Sequence, residues 1–256
     1  MTNTEAKKAF VTGGSRGIGR GIVRMLAEAG YDVAFTYHSE EEEARTLNEE
    51  LDQAGVRGFY YQASLDEAHV AEEVTARAAE DLGGIDLLVC NAGLTKHNDT
   101  LNLEGEQIDF LYNLNYRSYL MCSKVAANDM VKRGVKGNII FITSTRGIRA
   151  YPEDSLYGGF KAALNRSAES MALDLAEYGI RVNCVAPGAT AVRGNFTLEE
   201  LQAEDWVSNI PLKRKGSPDE VGRLVRFIAS DEMSYMTGNT IKLDGGLILP
   251  GMPEGE

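Results

Sequence analysis

The sequence predicts an α/β fold, a doubly wound parallel sheet of about seven strands with helices on both faces. Short β-rich runs alternate with helix-period runs along the whole chain, which is typical of βαβ crossovers. The runs at 85–90 and 137–143 are largely apolar, as expected for strands that helices cover on both faces. Neither a repeat nor a Pro/Gly/Ser-rich linker interrupts the pattern. We therefore expect one domain over residues 1–256.

The individual elements follow from periodicity and from helix-end signals. Strands are predicted at 9–12, 31–37, 58–62, 85–90, 137–143, 181–186 and 240–243, and helices at about 18–29, 39–54, 67–81, 105–133, 155–178 and 218–230. Ser39 followed by Glu42 has the pattern of a capping box, which predicts the start of the second helix. The acidic run 40–43 then lies in a first helical turn, where carboxylates suit the helix dipole, so we interpret it as structural.

Composition and charge argue against several classes of function. The net charge of −12 argues against nucleic acid and anionic membranes as partners, because both need a basic surface. Cys90, Cys122 and Cys184 show no metal-ligand spacing, so we predict reduced thiols and no metal site. The chain lacks an apolar run of about 18 residues, and its N-terminal residues lack the apolar core of a signal peptide. We expect a soluble, cytoplasmic protein.

A glycine-rich turn, TGGSRGIG at 12–19, connects the first predicted strand to the first helix. In that context the backbone can approach a pyrophosphate, whose charge meets the N–H groups of the helix start. The alternative is a turn that needs glycine only for its backbone conformation. The candidate cofactor-binding residues here are Gly13, Ser15, Arg16, Gly17, Ile18 and Gly19.

The end of the second strand bears on cofactor choice, because NAD-specific proteins place an acidic residue there on the ribose 2′-hydroxyl. This chain has Tyr37, His38 and Ser39 instead, and no acid until Glu40. The guanidinium of Arg16 matches the geometry of a 2′-phosphate. We therefore predict NADP(H) rather than NAD, although NAD stays possible if Arg16 lies only in solvent.

Tyr157 and Lys161 are four residues apart in a helical pattern, which places both side chains on one face. An ammonium beside a phenol favours the phenolate and lowers the phenol pKa from its ordinary value near 10. Tyr157 could then exchange the proton of a carbonyl/alcohol pair while a nicotinamide exchanges the hydride. Chance alone produces such pairs on surface helices, so the position of this one has to support it.

Three further motifs follow predicted strands and support that position. Ser144 follows 137–143, Asn91-Ala92-Gly93 follows 85–90, and Pro187-Gly188 follows 181–186. The carboxyl ends of parallel strands meet at one edge, where ligands bind in open α/β sheets. Together with the glycine turn, these breaks predict one crevice.

In the order and spacing of these motifs, the chain resembles the short-chain dehydrogenase/reductase superfamily along nearly its whole length. The matching motifs are TGGSRGIG, NAG at 91–93, Asn115 in NLNYRS, Ser144, YGGFK at 157–161 and PG at 187–188. The resemblance implies a Rossmann-type fold and a catalytic tetrad of Asn115, Ser144, Tyr157 and Lys161. In that tetrad Ser144 orients the substrate oxygen, Tyr157 is the general acid/base, Lys161 also binds the nicotinamide ribose, and Asn115 places a water in the proton relay.

Two departures from the family pattern concern cofactor contacts. After Gln62 the family often has an aspartate at the adenine, whereas this chain has Ser64 and Leu65 nearby. After Pro187-Gly188 the family has an isoleucine and a threonine, and the positions here are Thr190 and Val192. Val192 cannot donate a hydrogen bond, so both departures could weaken cofactor binding.

Substrate specificity is expected in the segment 190–214, a lid that includes a short helix around 197–203. Thr95, His97, Thr145 and Arg146 are candidate substrate residues, with simple loop packing as an equal alternative for each. The tail at 246–251 resembles those of glucose 1-dehydrogenases and 3-oxoacyl thioester reductases. The resemblance also implies a homotetramer through the helices at 105–133 and 155–178, whose apolar residues could equally face the sheet.

Several functions therefore stay open. We favour an NADP(H)-dependent enzyme acting on a small-molecule carbonyl or secondary alcohol, with a sugar or a 3-oxoacyl thioester as substrate and a hydroxysteroid or polyol as alternatives. A non-catalytic nucleotide sensor on the same fold would not need the serine, tyrosine and lysine. A purely structural interaction module would leave the motifs at one sheet edge unexplained.

Overall fold

The computed structural model describes residues 6–97, 99–192, 197–202 and 204–249. Within them, parallel strands form a seven-stranded sheet in the order β3-β2-β1-β4-β5-β6-β7. The strands are β1 (Lys8–Val11), β2 (Asp32–Tyr37), β3 (Gly58–Gln62), β4 (Leu87–Cys90), β5 (Asn138–Ile142), β6 (Arg181–Pro187) and β7 (Thr240–Leu243). The predicted fold class is confirmed. Strand order reverses between β1 and β4, and that is where an open α/β sheet forms a crevice.

The helices of the described residues alternate with these strands. They are α1 (Gly17–Glu28), α2 (Glu41–Gln53), α3 (Val70–Leu82), α4 (Gly105–Tyr112), α5 (Ser118–Arg133), α6 (Ser155–Leu175), α7 (Leu198–Gln202) and α8 (Pro218–Ala229). None of the helices in these residues is long and apolar enough to cross a membrane.

The core lies on both faces of the sheet because successive strand residues point to opposite sides. Phe10, Leu88 and Phe141 belong to the cluster beneath α3, α5 and α6. Val11 and Val89 belong to the second cluster, beneath α1, α2 and α8. Burial on both faces explains the largely apolar strands and brings the carboxyl ends of β1, β4, β5 and β6 to one edge.

Three predicted elements differ in detail. The capping box was wrong, because α2 begins at Glu41 and the side chain of Glu40 before it makes no capping hydrogen bond. The helix predicted over 105–133 is interrupted by a π-helical turn at Asn113–Arg117. The helix predicted over 155–178 ends at Leu175, and a 3-10 turn leads to Gly179, whose φ of 70° suits glycine.

The predicted lid segment is described only in part. Its short helix is α7, while residues 193–196 and 203 lie outside the described residues, as do 250 and 251 of the tail. Thr190 forms an isolated parallel bridge with Gly216, which connects the start of the segment to the chain just after its end.

Candidate active site

The glycine turn packs so tightly that side chains are excluded from it. The backbone N–H of Gly13, at φ +65°, donates to Thr36 Oγ1 at 2.8 Å. A Cβ at Gly19 would lie 2.0 Å from the carbonyl oxygen of Gly13. These positions therefore require glycine, for a backbone reason that the sequence pattern alone could not distinguish from an ordinary turn.

The start of α1 fits a phosphate group. Arg16 precedes the helix and makes no capping hydrogen bond with its side chain, so it leaves the N–H groups of the first turn to other partners. Those groups and the helix dipole favour an anion. Ser15 is buried beside them, while the partly buried side chain of Ile18 packs against the core. The residues present thus fit the pyrophosphate of a dinucleotide.

Thr12 connects the glycine turn to the loop after β4. Its Oγ1 accepts hydrogen bonds from the backbone N–H groups of Asn91 at 2.9 Å and Ala92 at 3.0 Å. The amide of Asn91 donates back to the carbonyl oxygens of Thr12 at 3.0 Å and Gly13 at 2.9 Å. The two motifs predicted to share one crevice are therefore directly bonded to each other.

A groove of about 560 Å³ extends from the glycine turn past Arg16 and Glu40. Arg16 Nε lies 3.6 Å from Glu40 Oε1, and the Arg16 side chain is 51% exposed. Burial opposes ionisation of Glu40, but the charge of Arg16 and hydrogen bonding from Ser39 leave its pKa below the ordinary value. Arg16 is thus a half-exposed cation in the groove, with a carboxylate on one side.

The other candidates near this groove divide by exposure. His38 and Ser39 are exposed at the end of β2, whereas Tyr37 is buried and its ring lies 6.0 Å from that of Tyr60. Ser64 is half-buried at the neighbouring strand end, but the Leu65 side chain belongs to the core. Because both side chains are buried, Tyr37 and Leu65 can contact a ligand only through their backbone atoms or a small exposed part of the side chain.

Ser144 and Tyr157 come together at the end of β5. Ser144 Oγ accepts a hydrogen bond from the backbone N–H of Arg146 at 3.1 Å, which fixes the hydroxyl at the sheet edge. Burial raises the pKa of Tyr157, while hydrogen bonding by Thr95 and Ser144 and the charge of Arg146 act to lower it. A phenol between two hydroxyls at a strand end can exchange a proton with a substrate oxygen.

Lys161 lies one helical turn from Tyr157, but its ammonium is oriented mainly toward other groups. Nζ is 5.7 Å from the Tyr157 ring centroid, 2.9 Å from the Ile142 carbonyl oxygen and 3.0 Å from Tyr119 Oη. Burial lowers the pKa of Lys161 to about 7. Burial raises the pKa of Tyr157 and lowers that of Lys161, so the expected net lowering of the Tyr157 pKa is not found.

Asn115 is fully buried in the π-helical turn between α4 and α5. Its Oδ1 accepts from the backbone N–H of Leu94 at 3.1 Å, and its Nδ2 donates to the Leu94 carbonyl oxygen at 3.0 Å. A Cβ at Gly93 would lie 2.6 Å from Asn115 Oδ1 and 3.7 Å from Lys161 Nζ. Asn115 therefore fixes the loop that follows β4 beside Lys161.

The sequence reasoning missed Asp154, a buried carboxylate beside Tyr157 that pairs with the candidate substrate residue Arg146. Asp154 immediately precedes α6, and its Oδ1 lies 3.2 Å from Arg146 Nη1. Among the described residues neither carboxylate oxygen of Asp154 has a hydrogen-bond partner, so its interaction with Arg146 is an ion pair without a hydrogen bond. The guanidinium also lies over the Tyr151 ring at 5.0 Å. An acid just before a predicted helix was the available signal, but it normally indicates only a helix cap.

The remaining predicted residues lie around the same edge. Pro187 is buried at the end of β6, and a Cβ at Gly188 would lie 2.6 Å from Asp244 Cβ. Thr190 Oγ1 donates to the Gly188 carbonyl at 3.3 Å, and Val192 faces Gly17 of the glycine turn. Thr95 and His97 are exposed on the loop after β4.

Thr145, one of the predicted substrate residues, bonds to the protein backbone. Its side chain is buried, and its Oγ1 donates to the Pro187 carbonyl oxygen at 3.4 Å. The hydroxyl therefore connects the ends of β5 and β6, which is the loop-packing alternative for that residue.

Comparisons with known proteins agree with this geometry. The family model described as enoyl-(acyl carrier protein) reductase matches residues 13–248. The chain is 35% identical to the 3-oxoacyl-(acyl-carrier-protein) reductase FabG of Staphylococcus aureus, over 95% of this chain and 98% of that protein. Among solved structures, acetoin dehydrogenase YohF from Salmonella typhimurium is 33% identical with a TM-score of 0.93, covering 98% of this chain and 99% of that one.

A second solved structure, acetoin dehydrogenase from Enterobacter cloacae, is also 33% identical with a TM-score of 0.93 and covers 99% of this chain and 100% of that one. Matches of this length and identity extend over the glycine turn, the strand ends and α6 together. The chain therefore belongs to the short-chain dehydrogenase/reductase superfamily of oxidoreductases, which act on carbonyl and alcohol substrates with a nicotinamide dinucleotide.

Proposed function

We propose that the chain is an NADP(H)-dependent oxidoreductase that interconverts a ketone and a secondary alcohol, with Tyr157 as the proton donor or acceptor. The observation that carries the proposal is the placement of Tyr157 beside Ser144 and Thr95, at the edge that also bears the glycine turn. A bound nicotinamide dinucleotide supplies or accepts the hydride.

The chain's own residues handle the substrate oxygen and its proton. In ketone reduction, Ser144 Oγ donates a hydrogen bond to the ketone oxygen and Tyr157 Oη transfers its proton to that oxygen. In alcohol oxidation the proton returns to the Tyr157 phenolate. Lys161 in its charged form stabilises the phenolate, and Asn115 fixes the 91–94 backbone beside it. The water relay that the family resemblance implies for Asn115 belongs to the same proposal.

The dinucleotide would be held by the residues around the groove. The start of α1, with Gly13, Gly17 and Gly19, would take the pyrophosphate, and the loop 91–93 with Pro187 and Thr190 would face the nicotinamide half. Preference for NADP(H) rests on Arg16, whose half-exposed guanidinium lies in the groove, with His38 and Ser39 exposed nearby. A guanidinium pairs well with a phosphate dianion, and no acid immediately ends β2.

The substrate class follows from two kinds of relative. We propose a small hydroxyketone or a 3-oxoacyl thioester, because the solved relatives are acetoin dehydrogenases and the curated relatives are 3-oxoacyl-(acyl-carrier-protein) reductases. Thr95, His97 and Arg146 are the candidate substrate contacts. A panel of acetoin, butane-2,3-diol, acetoacetyl thioesters, glucose, hydroxysteroids and polyols, each with NADP⁺ or NADPH and with NAD⁺ or NADH, discriminates among these classes.

Tyr157→Phe tests the catalytic assignment itself. The variant keeps the ring and loses only the hydroxyl, so we expect it to retain dinucleotide binding and to lose at least about a hundredfold in kcat on every substrate that wild type accepts. Tyr112→Phe, in the exposed end of α4, is the matched control and should keep full activity. Undiminished turnover by Tyr157→Phe would reject the proposed function.

We also propose that residues 1–256 act as one domain that assembles into a cytoplasmic homotetramer. A groove of about 440 Å³ between α5 and α6 supports the assembly, since it is lined by Leu120, Val131, Met171 and Tyr178. Val131 and Tyr178 are exposed on the protomer, so a second copy would cover apolar surface there. Light scattering of wild type and of Val131→Glu tests this: loss of the assembly only in the variant is expected, and a monomeric wild type would refute it.

A further inference from the structure

The ammonium of Lys161 has a second aromatic neighbour besides Tyr157. Nζ donates to Tyr119 Oη at 3.0 Å and lies 4.7 Å from the centroid of the Tyr119 ring. Tyr119 Oη in turn donates to the Ile142 carbonyl oxygen at 3.2 Å, the same oxygen that accepts from Nζ at 2.9 Å. Lys161, Tyr119 and this carbonyl form a closed triangle in which every polar atom is bonded.

The triangle limits how the ammonium can turn. An ammonium has three N–H donors, and two of them are used by Tyr119 and Ile142. Nζ lies 3.7 Å from the place where a Gly93 side chain would begin, so it also borders the loop after β4. One donor is left outside the triangle, and its direction depends on the two partners that hold the other two.

The Tyr119 side chain is itself firmly placed. Tyr119 is buried near the start of α5, directly after the π-helical turn that carries Asn115. Its ring packs edge-on against Phe141 at 5.5 Å. A buried hydroxyl without a partner costs free energy, so loss of either hydrogen bond of the Tyr119 hydroxyl would destabilise the folded state.

We propose that Tyr119 is a positioning residue for proton transfer, because its hydroxyl keeps the Lys161 ammonium charged and aimed at the crevice. The inference rests on the proposed function of Tyr157 and Lys161 and deepens it. Tyr119 touches neither the substrate nor the reacting atoms in this scheme. It acts through Lys161.

The surroundings of Lys161 disfavour its charged form, so a hydrogen-bond acceptor such as Tyr119 Oη helps to keep it charged. The groups that face it are the phenols of Tyr119 on α5 and Tyr157 on α6, the thiol of Cys90 on β4 and the thiol of Cys184 on β6. Burial raises the pKa of Cys184 to about 12 and raises that of Cys90, so both thiols stay neutral near pH 7. Burial lowers the pKa of Lys161 to about 7, and the opposing effect depends on charge at Cys184 and Cys90. Because both thiols are neutral near pH 7, the hydrogen bonds from Nζ to Tyr119 Oη and to the Ile142 carbonyl oxygen are left to stabilise the ammonium.

The test removes one oxygen atom. In Tyr119→Phe the ring stays and the acceptor is lost, so the Lys161 pKa should fall by about one unit, as expected for a hydrogen bond to a charged group. NMR titration of the full chain carrying lysine labelled at Cε measures this directly, with the Lys161 signal assigned by its loss in Lys161→Arg. Tyr116→Phe is the matched control, because Tyr116 Oη bonds only Ser167 Oγ, at 3.0 Å, among the described residues.

Kinetics give the second readout. Ketone reduction needs charged Lys161, so its kcat declines as pH rises through the Lys161 pKa. In Tyr119→Phe that decline should move to lower pH by the same amount as the titration, with kcat near pH 8 reduced about three- to tenfold and KM for the ketone little changed. Tyr116→Phe should match wild type in both measurements.

The outcomes separate the inference from the function on which it rests. Identical Lys161 titrations in wild type and Tyr119→Phe overturn the inference, whatever happens to kcat. Full activity in Tyr157→Phe overturns the proposed function instead. If thermal unfolding shows that Tyr119→Phe is not folded, Tyr119→Leu removes the same hydroxyl with a different apolar side chain and must give the same Lys161 shift.

Discussion

Arg146 Nη1 lies 3.2 Å from Asp154 Oδ1, and the Asp154 side chain is only 2% exposed whereas that of Arg146 is 30% exposed. Because of this difference in exposure, we expect loss of one partner to cost more stability than loss of the other. Removal of Arg146 leaves a carboxylate in the interior without the cation that pairs with it, whereas removal of the Asp154 charge leaves a cation that water can still reach. Both residues lie beside the phenol of Tyr157, so the pair affects stability and chemistry separately.

For stability, we expect Arg146→Met to lower the free energy of unfolding by about 3 kcal/mol, since it leaves a buried charge unpaired. Asp154→Asn keeps the shape of the side chain and should cost only about 1 kcal/mol. Urea unfolding of both variants at neutral pH measures the difference. Equal losses would mean that the burial of Asp154 does not govern the pair.

For chemistry, Asp154→Asn should shift alcohol oxidation to lower pH. The negative charge of Asp154 raises the pKa of Tyr157, and oxidation requires the phenolate, so its rate rises with pH through that pKa. Loss of the charge lowers the Tyr157 pKa and moves the rise to lower pH, while Arg146→Met moves it to higher pH. Asp174→Asn, exposed on the same helix, is the control and should leave the profile in place.

Gly158 and Gly159 are neighbours in α6 with opposite surroundings. A Cβ at Gly158 would lie 2.8 Å from the Arg146 carbonyl oxygen and 2.9 Å from Asp154 Oδ2, whereas a Cβ at Gly159 would meet nothing within 4 Å among the described residues. We expect Gly159→Ala to stabilise the chain by up to about 1 kcal/mol through helix propensity. Gly158→Ala should destabilise it and displace Asp154. Thermal unfolding of the two variants checks this, and stabilisation by both would contradict it.

Arg16→Ala should raise KM for NADPH about tenfold or more and change KM for NADH little, because only the former carries the 2′-phosphate. Glu40→Gln removes the carboxylate that competes for Arg16 and should lower KM for NADPH. Arg24→Ala is the control, since Arg24 lines the same groove but pairs with Glu50 at 3.4 Å. Equal effects of Arg16→Ala on both dinucleotides would remove Arg16 from the phosphate site.

Most of the fold could be predicted because its signals are local. The strands β4 and β5 are short, largely apolar runs, as burial on both faces requires. The four-residue spacing of Tyr157 and Lys161 follows the helical period. Strand ends then had to converge, which brought Ser144, Asn91 and the glycine turn together. The predicted capping box of Ser39 and Glu42 does not form, because α2 begins at Glu41 and its N-cap residue is therefore Glu40. The side chain of Glu40 pairs with Arg16 instead.

The electrostatics of the site could not be predicted from the sequence. Sequence spacing shows that Lys161 is near Tyr157, but it does not show that burial is the largest cause of the shift in each pKa. Tyr119 and Asp154 approach these residues from separate elements, so only the tertiary structure reveals them. The π-helical turn at Asn113–Arg117 could not be predicted either, because one extra residue in a helical turn leaves the apolar pattern nearly unchanged.

The burial of Cys90, Cys122 and Cys184 has a practical consequence. Cys90 and Cys184 are close enough to Lys161 to affect its pKa, so we expect alkylation of either thiol to disturb the reaction. Their burial keeps an alkylating reagent away from them in the folded state. The rate at which iodoacetamide inactivates the enzyme would then report how often the interior opens. A slower inactivation in the presence of a dinucleotide would measure how much the bound ligand stabilises the folded state against this opening.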